Sequence, residues 1–179
     1  FHSSLALLLS TSGSTGSPKM VRVSRENIIA NSQAISGYLG LTRDERPITT
    51  LPPNYTYGLS VIHSHLLNGC EIVLTNRTMF DRQFWEFLKT SKATSLSGVP
   101  YHYEMMRKLK FTCMDLPDLR TLTQAGGRLN PTLVIEYANH CASRGIRFFV
   151  MYGQAEATAR MSFLAPEKAL VKPESIGQP

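Results

Sequence analysis

Short apolar runs alternate along this chain with helix-length stretches whose apolar residues fall on one face, and that alternation limits the fold more than any other feature. Strand candidates are residues 5–10, 19–23, 48–51, 70–75, 94–97, 119–123 and 146–151. Between them the spacing predicts helices. Ser24 can cap one running to Leu39 with Gly40 as its stop, and Leu59, Ile62 and Leu66 fit a second over 57–68. Asp81 can cap a third carrying Phe84 and Leu88, Pro100 suits the first turn of a fourth reaching about Lys110, and Asn130-Pro131 opens a fifth that Gly145 stops. Repeated strand–loop–helix units of this length predict an α/β class: a layered, largely parallel sheet flanked by helices. Ligands of such sheets gather at the loops beyond the carboxyl ends of the strands.

The 179 residues suit one domain, and 42% hydrophobic with 18% charged residues is a globular composition. The polar stretch after Pro166 is expected to be the least ordered. A net charge of +6 favours anionic partners. The basic residues are scattered, however, and the densest group, Arg107, Lys108 and Lys110, is short, so no nucleic-acid partner is expected. Three cysteines, Cys70, Cys113 and Cys141, lie far apart without a CxxC pair. They read as buried structural thiols in a reducing, cytoplasmic setting. The run Leu5 to Leu9 is too short to span a membrane and lacks the basic flank of a signal peptide. The chain has no initiator Met, and both ends read as cut from something longer.

Chemistry concentrates in Thr11-Ser12-Gly13-Ser14-Thr15-Gly16-Ser17-Pro18-Lys19. Its glycines let the backbone turn tightly and approach a ligand, its hydroxyls donate to phosphate oxygens, and Lys19 adds a point charge. This is not the common P-loop, because Gly13 and Gly16 are three apart and Pro18 precedes the lysine.

That string resembles the signature loop of the adenylate-forming superfamily, which comprises acyl-CoA synthetases, peptide-synthetase adenylation domains and luciferases. Three later segments resemble the family's motifs in the same order: Pro53-Asn54-Tyr55-Thr56-Tyr57-Gly58-Leu59, Ala125-Gly126-Gly127-Arg128-Leu129, and Tyr152-Gly153-Gln154-Ala155-Glu156-Ala157-Thr158. The resemblance covers nearly the whole chain. It implies one α/β piece, residues 1–179, of the large N-terminal ATP- and acyl-binding domain, with the C-terminal lid domain absent. It further implies an AMP-forming ligase that joins a carboxylic acid to ATP as an acyl-adenylate, releases pyrophosphate, and transfers the acyl group to CoA or to the phosphopantetheine of a carrier protein. By the same resemblance, Thr11, Ser12, Gly13, Ser14, Thr15, Gly16, Lys19, Gly126, Gly127, Tyr152, Gly153, Gln154 and Ala155 would hold the nucleotide. Tyr152 would stack on adenine, and Glu156 would hold Mg²⁺ and act with Lys19 in catalysis. Tyr55, Tyr57, Gly58 and Ala125 would border the acid.

Two positions depart from the family's pattern. Tyr55 stands where histidine is usual, which exchanges an imidazole for a bulkier phenol, neutral at pH 7. Ala155 stands where threonine is usual and removes one hydrogen bond to phosphate. The family's ribose-binding aspartate and C-terminal catalytic lysine have no counterpart before Pro179, and Lys168 and Lys172 follow Glu156 too soon to be that lysine. The 179 residues alone are therefore expected to turn over negligibly. A catalytically impaired nucleotide-binding relative, or an enzyme passing its acyl group to an amine, are the alternatives. Other chemistries fit poorly. His63 and His65 point to opposite sides of their helix, His102 and His140 have no partner at ligand spacing, and no Gly-x-Ser-x-Gly elbow is present.

Overall fold

The computed structural model describes residues 2–11 and 19–179. A two-stranded antiparallel ribbon opens the chain, β1 (Leu5–Ser10) against β2 (Met20–Ser24). The Thr11 amide donates to the Lys19 carbonyl at 3.0 Å, which brings the two ends of the signature loop together. The central sheet has five strands in the order β3 (Pro47–Ile48), β4 (Ser95–Gly98), β5 (Thr121–Gln124), β6 (Arg147–Gly153) and β7 (Arg160–Leu164). Strands β3 to β6 are parallel, and β7 closes the edge antiparallel to β6.

Helices form where caps and apolar stripes coincide. Ser24 and Asn27 make a reciprocal capping box at the start of α1 (Arg25–Leu39), and Gly40, at φ 60°, ends it in the left-handed conformation. Asn130 accepts from the Thr132 amide at 2.9 Å, with Pro131 opening α5 (Pro131–Ser143). Helices α1 and α2 (Thr56–Leu67) cover one face of the sheet, through Ile35, Leu39, Tyr57 and Val61. On the opposite face lie α3 (Arg82–Thr90), α4 (Pro100–Lys108) and α5, through Phe84, Leu88, Tyr103, Met106, Leu133, Val134 and Tyr137.

The expected fold class is present, with local corrections. Residues 70–75 do not form a strand. Only Val73 bridges Ile48, exchanging backbone bonds with Pro47 and Thr49, so β3 is short as well. Asp81 precedes α3 but does not cap it, because its carboxylate turns back to accept from the Thr78 amide and hydroxyl. The stretch after Pro166 is not a loose tail. It forms α6 (Pro166–Ala169), seats Ala169 fully in the core, and returns so that Gln178 pairs with Phe163. Cys70 and Cys141 are buried as expected, but Cys113 is exposed. No helix among the described residues is long and apolar enough to cross a membrane.

Candidate functional site

At the carboxyl ends of β5 and β6 the backbone leaves the sheet in the turns Ala125-Gly126 and Gly153-Gln154. These turns, the β1–β2 ribbon and the start of α2 enclose a cavity of about 810 Å³. Thr11 and Lys19 reach it from the ribbon, Tyr55 and Tyr57 from the start of α2, Ala125 and Gly126 from β5, and Gly153, Gln154, Ala155 and Glu156 from the end of β6. Four motifs separated by tens of residues thus meet at one place, the one a parallel sheet reserves for ligands. A second cavity, about 780 Å³ and lined by residues such as Thr50, Leu74, Phe80 and Met105, has no lysine or carboxylate in its wall. Arg77 is the one charged residue of that second wall, whereas Lys19, Glu156 and Arg160 all line the first.

Gly126 takes φ +79°, and a Cβ there would collide with the Tyr55 hydroxyl. Any side chain would therefore be strained and would fill the cavity where β5 and α2 approach. Burial raises the Tyr55 phenol above its ordinary value. Burial pushes Tyr57 up to about 12 against the opposing charge of Arg160, so both phenols are neutral at physiological pH. The Tyr57 hydroxyl is 2.7 Å from Thr123 Oγ1, which is 2.8 Å from Ser97 Oγ. This chain of hydroxyls ties α2 to β5 and β4 beneath the cavity and fixes the tyrosine ring.

Not every expected site residue faces the cavity. Gly58 is buried inside α2, where a Cβ would sit 2.5 Å from the Pro52 carbonyl, so close packing accounts for it. Gly127 lies against Pro100, and Tyr152 stands partly exposed at the end of β6, its hydroxyl accepting from Gln154 Nε2 at 2.6 Å. None of the three is part of the cavity wall. Ser12, Gly13, Ser14, Thr15 and Gly16 lie outside the described residues.

Arg160 and Ala159, just beyond the last motif, also line the cavity, as does Asn54, a motif residue to which the sequence assigned no role. Arg160 is the most consequential. It is 7% exposed, with its guanidinium carbon 5.1 Å from the Tyr57 ring centroid. Nearby His65 is also buried and is pushed down to about 4, chiefly by burial, with the Arg160 charge adding to the effect.

No group of three or more His, Cys, Asp or Glu that could hold a metal occurs among the described residues. Glu156 enters the cavity as a single exposed carboxylate. One carboxylate completed by phosphate oxygens and water is how Mg²⁺ is usually held beside nucleotides, so the donor set fits that ion and not a zinc cage. With Lys19 and Arg160 opposing Glu156, the wall carries an excess of positive charge suited to a polyanion.

Comparisons with known proteins place the chain in a family. The family model for AMP-binding enzymes matches residues 2–179, and the chain belongs to that family. The 2-succinylbenzoate–CoA ligase of Enterococcus faecalis is 27% identical over 177 residues, 98% of this chain and 35% of the ligase. Bacitracin synthase 3 of Bacillus licheniformis is 30% identical over 157 residues, 86% of this chain and 2% of the synthase. The structure of o-succinylbenzoate coenzyme A synthetase from Bacillus subtilis, in complex with ATP and magnesium ion, matches with a TM-score of 0.82 at 26% identity, over 96% of this chain and 35% of that one. The chain thus spans about a third of the length of the ligases it matches.

Proposed function

We propose that the protein carrying this chain activates a carboxylic acid with ATP as an acyl-adenylate, releases pyrophosphate, and passes the acyl group to a thiol, that of CoA or of a carrier-bound pantetheine. The observation that carries this reading is the convergence of Lys19, Glu156, Gly126 and the Tyr55–Tyr57 pair on one cavity at the carboxyl ends of β5 and β6. The named activities of the CoA ligases support it, and bacitracin synthase 3 is the relative that supports a carrier.

In this reading the triphosphate lies along the ribbon, where Thr11 donates a hydrogen bond and Lys19 supplies positive charge. Tyr152 offers adenine a flat face beside the cavity. The Gly126 turn lets ligand atoms approach the backbone closely. Tyr55, Tyr57 and Ala125 hold the acid with its carboxylate oxygen directed at the α-phosphorus. That oxygen forms the new P–O bond as the bond to the β-phosphate breaks, and pyrophosphate carries the charge away. Positioning and charge stabilisation supply most of the acceleration. Mg²⁺, held by Glu156 together with phosphate oxygens and water, would neutralise charge on the triphosphate. Ala155 places a methyl group in the wall, and the loss of one hydrogen bond there is worth about 1 kcal/mol.

The test is ATP–pyrophosphate exchange by the protein at its full natural length, with Mg²⁺ and a broad panel of carboxylic acids. Acid-dependent exchange is expected. Folded protein that binds ATP yet exchanges with no acid would overturn acid activation in favour of a relative that only binds nucleotide.

A further inference from the structure

Arg160 is a buried cation whose described neighbours are all neutral. Its Nε donates to Ser60 Oγ at 3.1 Å, and its Nη1 lies 3.3 Å from the Tyr38 hydroxyl and 3.6 Å from the Met151 sulfur. Nη2 hydrogen-bonds to none of the described residues. No described carboxylate forms an ion pair with Arg160. The remaining positions, 1 and 12–18, contain no Asp or Glu. A guanidinium cannot shed its proton to escape burial, and a buried charge without a counter-charge is costly. Arg160 nonetheless lines the cavity, beside Tyr57, whose ring its guanidinium overlies.

Its place in the cavity narrows what its ligand would be. Lys19 is on the exposed ribbon, where the triphosphate is assigned. Arg160 extends the other way, among Tyr38 of α1 and Ser60 and Tyr57 of α2, on the side assigned to the acid. A guanidinium fork matches a carboxylate in geometry as well as charge. The carboxylate that attacks phosphorus belongs at the triphosphate, so the anion that answers Arg160 is a different one.

We propose that Arg160 binds a second carboxylate on the substrate, so that the site selects dicarboxylic acids over monocarboxylic acids of matched length and shape. The proposal rests on the acid-activating reading above.

It is tested on the full-length protein by ATP–pyrophosphate exchange with matched pairs: butyrate and succinate, hexanoate and adipate, benzoate and phthalate. In at least one pair, the kcat/KM for the diacid should exceed that for the monoacid by about tenfold or more, the usual effect of a charged hydrogen bond. Arg160→Gln, with its fold checked by circular dichroism and thermal melting, should shrink that preference about 10- to 100-fold. The change should come through the diacid KM and leave the KM for ATP unchanged, and Arg160→Lys should restore part of it. Monoacids used as well as diacids by the unaltered protein would overturn the proposal, a result that does not depend on the variant folding. So would a preference that survives Arg160→Gln, or a loss confined to the KM for ATP. Exchange with no acid of any kind would remove the acid-activating reading itself, and this proposal with it. Exchange with monoacids alone would leave that reading standing and remove only the role of Arg160.

Discussion

The two faces of the central sheet are built from the same strands but serve opposite ends. On one face, Leu96, Leu122, Phe148 and Val150 pack against α3, α4 and α5 in a core that is almost wholly apolar and rich in aromatic rings. On the other face, the alternating residues of β4 and β5 are Ser95, Ser97, Thr121 and Thr123, all buried beneath α1 and α2 with Tyr57, Ser60, His65 and Arg160 nearby. Strand β6 keeps both characters apart by alternation, with Phe148 and Val150 toward the first face and Phe149 and Met151 toward the second. The first face supplies cohesion. The second gives up part of that cohesion to hold polar groups beneath the cavity, where each needs a partner to be tolerated.

Four measurements press on this contrast. The largest effect is expected on the apolar face. Phe148→Ala removes a ring packed against Tyr103 and Tyr137, and should cost about 3–5 kcal/mol in urea unfolding while leaving the cavity wall unchanged in the folded fraction. A loss below 1 kcal/mol would show that this face is not the main anchor.

The polar face should show itself in pH dependence. Buried His65 is held near 4 in the folded protein, against 6.5 ordinarily, with Nδ1 bonded to the Val61 carbonyl at 2.7 Å and Nε2 buried without a partner among the described residues. Between those values the unfolded chain binds more protons than the folded one, so folding stability falls as pH drops from about 6.5 toward 4. The contribution is about 3 kcal/mol at 1.36 kcal/mol per pH unit. His65→Gln should flatten that part of a urea-midpoint profile. His63, His102 and His140 are also lowered by burial and act in the same direction, so the difference between variant and parent isolates His65.

Gly126→Ala combines a left-handed φ with a collision against the Tyr55 hydroxyl, and should cost about 1–3 kcal/mol along with ATP affinity measured by calorimetry. Tyr55→Phe in the same background should recover part of the stability, since it removes the colliding atom but not the backbone strain. Full recovery would mean that sterics alone matter there. The smallest effect is expected from Tyr57→Phe. It deletes the bond to Thr123 while Ser97 still satisfies that hydroxyl, for a cost of about 1 kcal/mol by chemical denaturation.

The sequence made the apolar face legible and left much of the polar face unread. Hydrophobic periodicity locates β6 and the stripe of α5 to within a residue or two, because apolar side chains facing a core repeat at the period of the element. Strand β7 was missed because its pattern is inverted: Arg160, Ser162 and Leu164 face inward while Met161 points to solvent. A polar-in alternation reads locally as no strand at all. Residues 70–75 mislead in the opposite sense, being apolar enough for a strand but making only one bridge at the sheet edge.

By itself the sequence determined the α/β class, most helix limits and the four motifs that mark an AMP-binding enzyme, because each is written in residues adjacent along the chain. Only the tertiary structure decided which motif residues face the cavity, that Gly58 is a packing residue, and that Arg160 belongs to the wall. The side-chain partners of Arg160 lie as far as 122 residues away in sequence, at Tyr38. Burial of a charge is set by what folds over it, and no local pattern of residues encodes that.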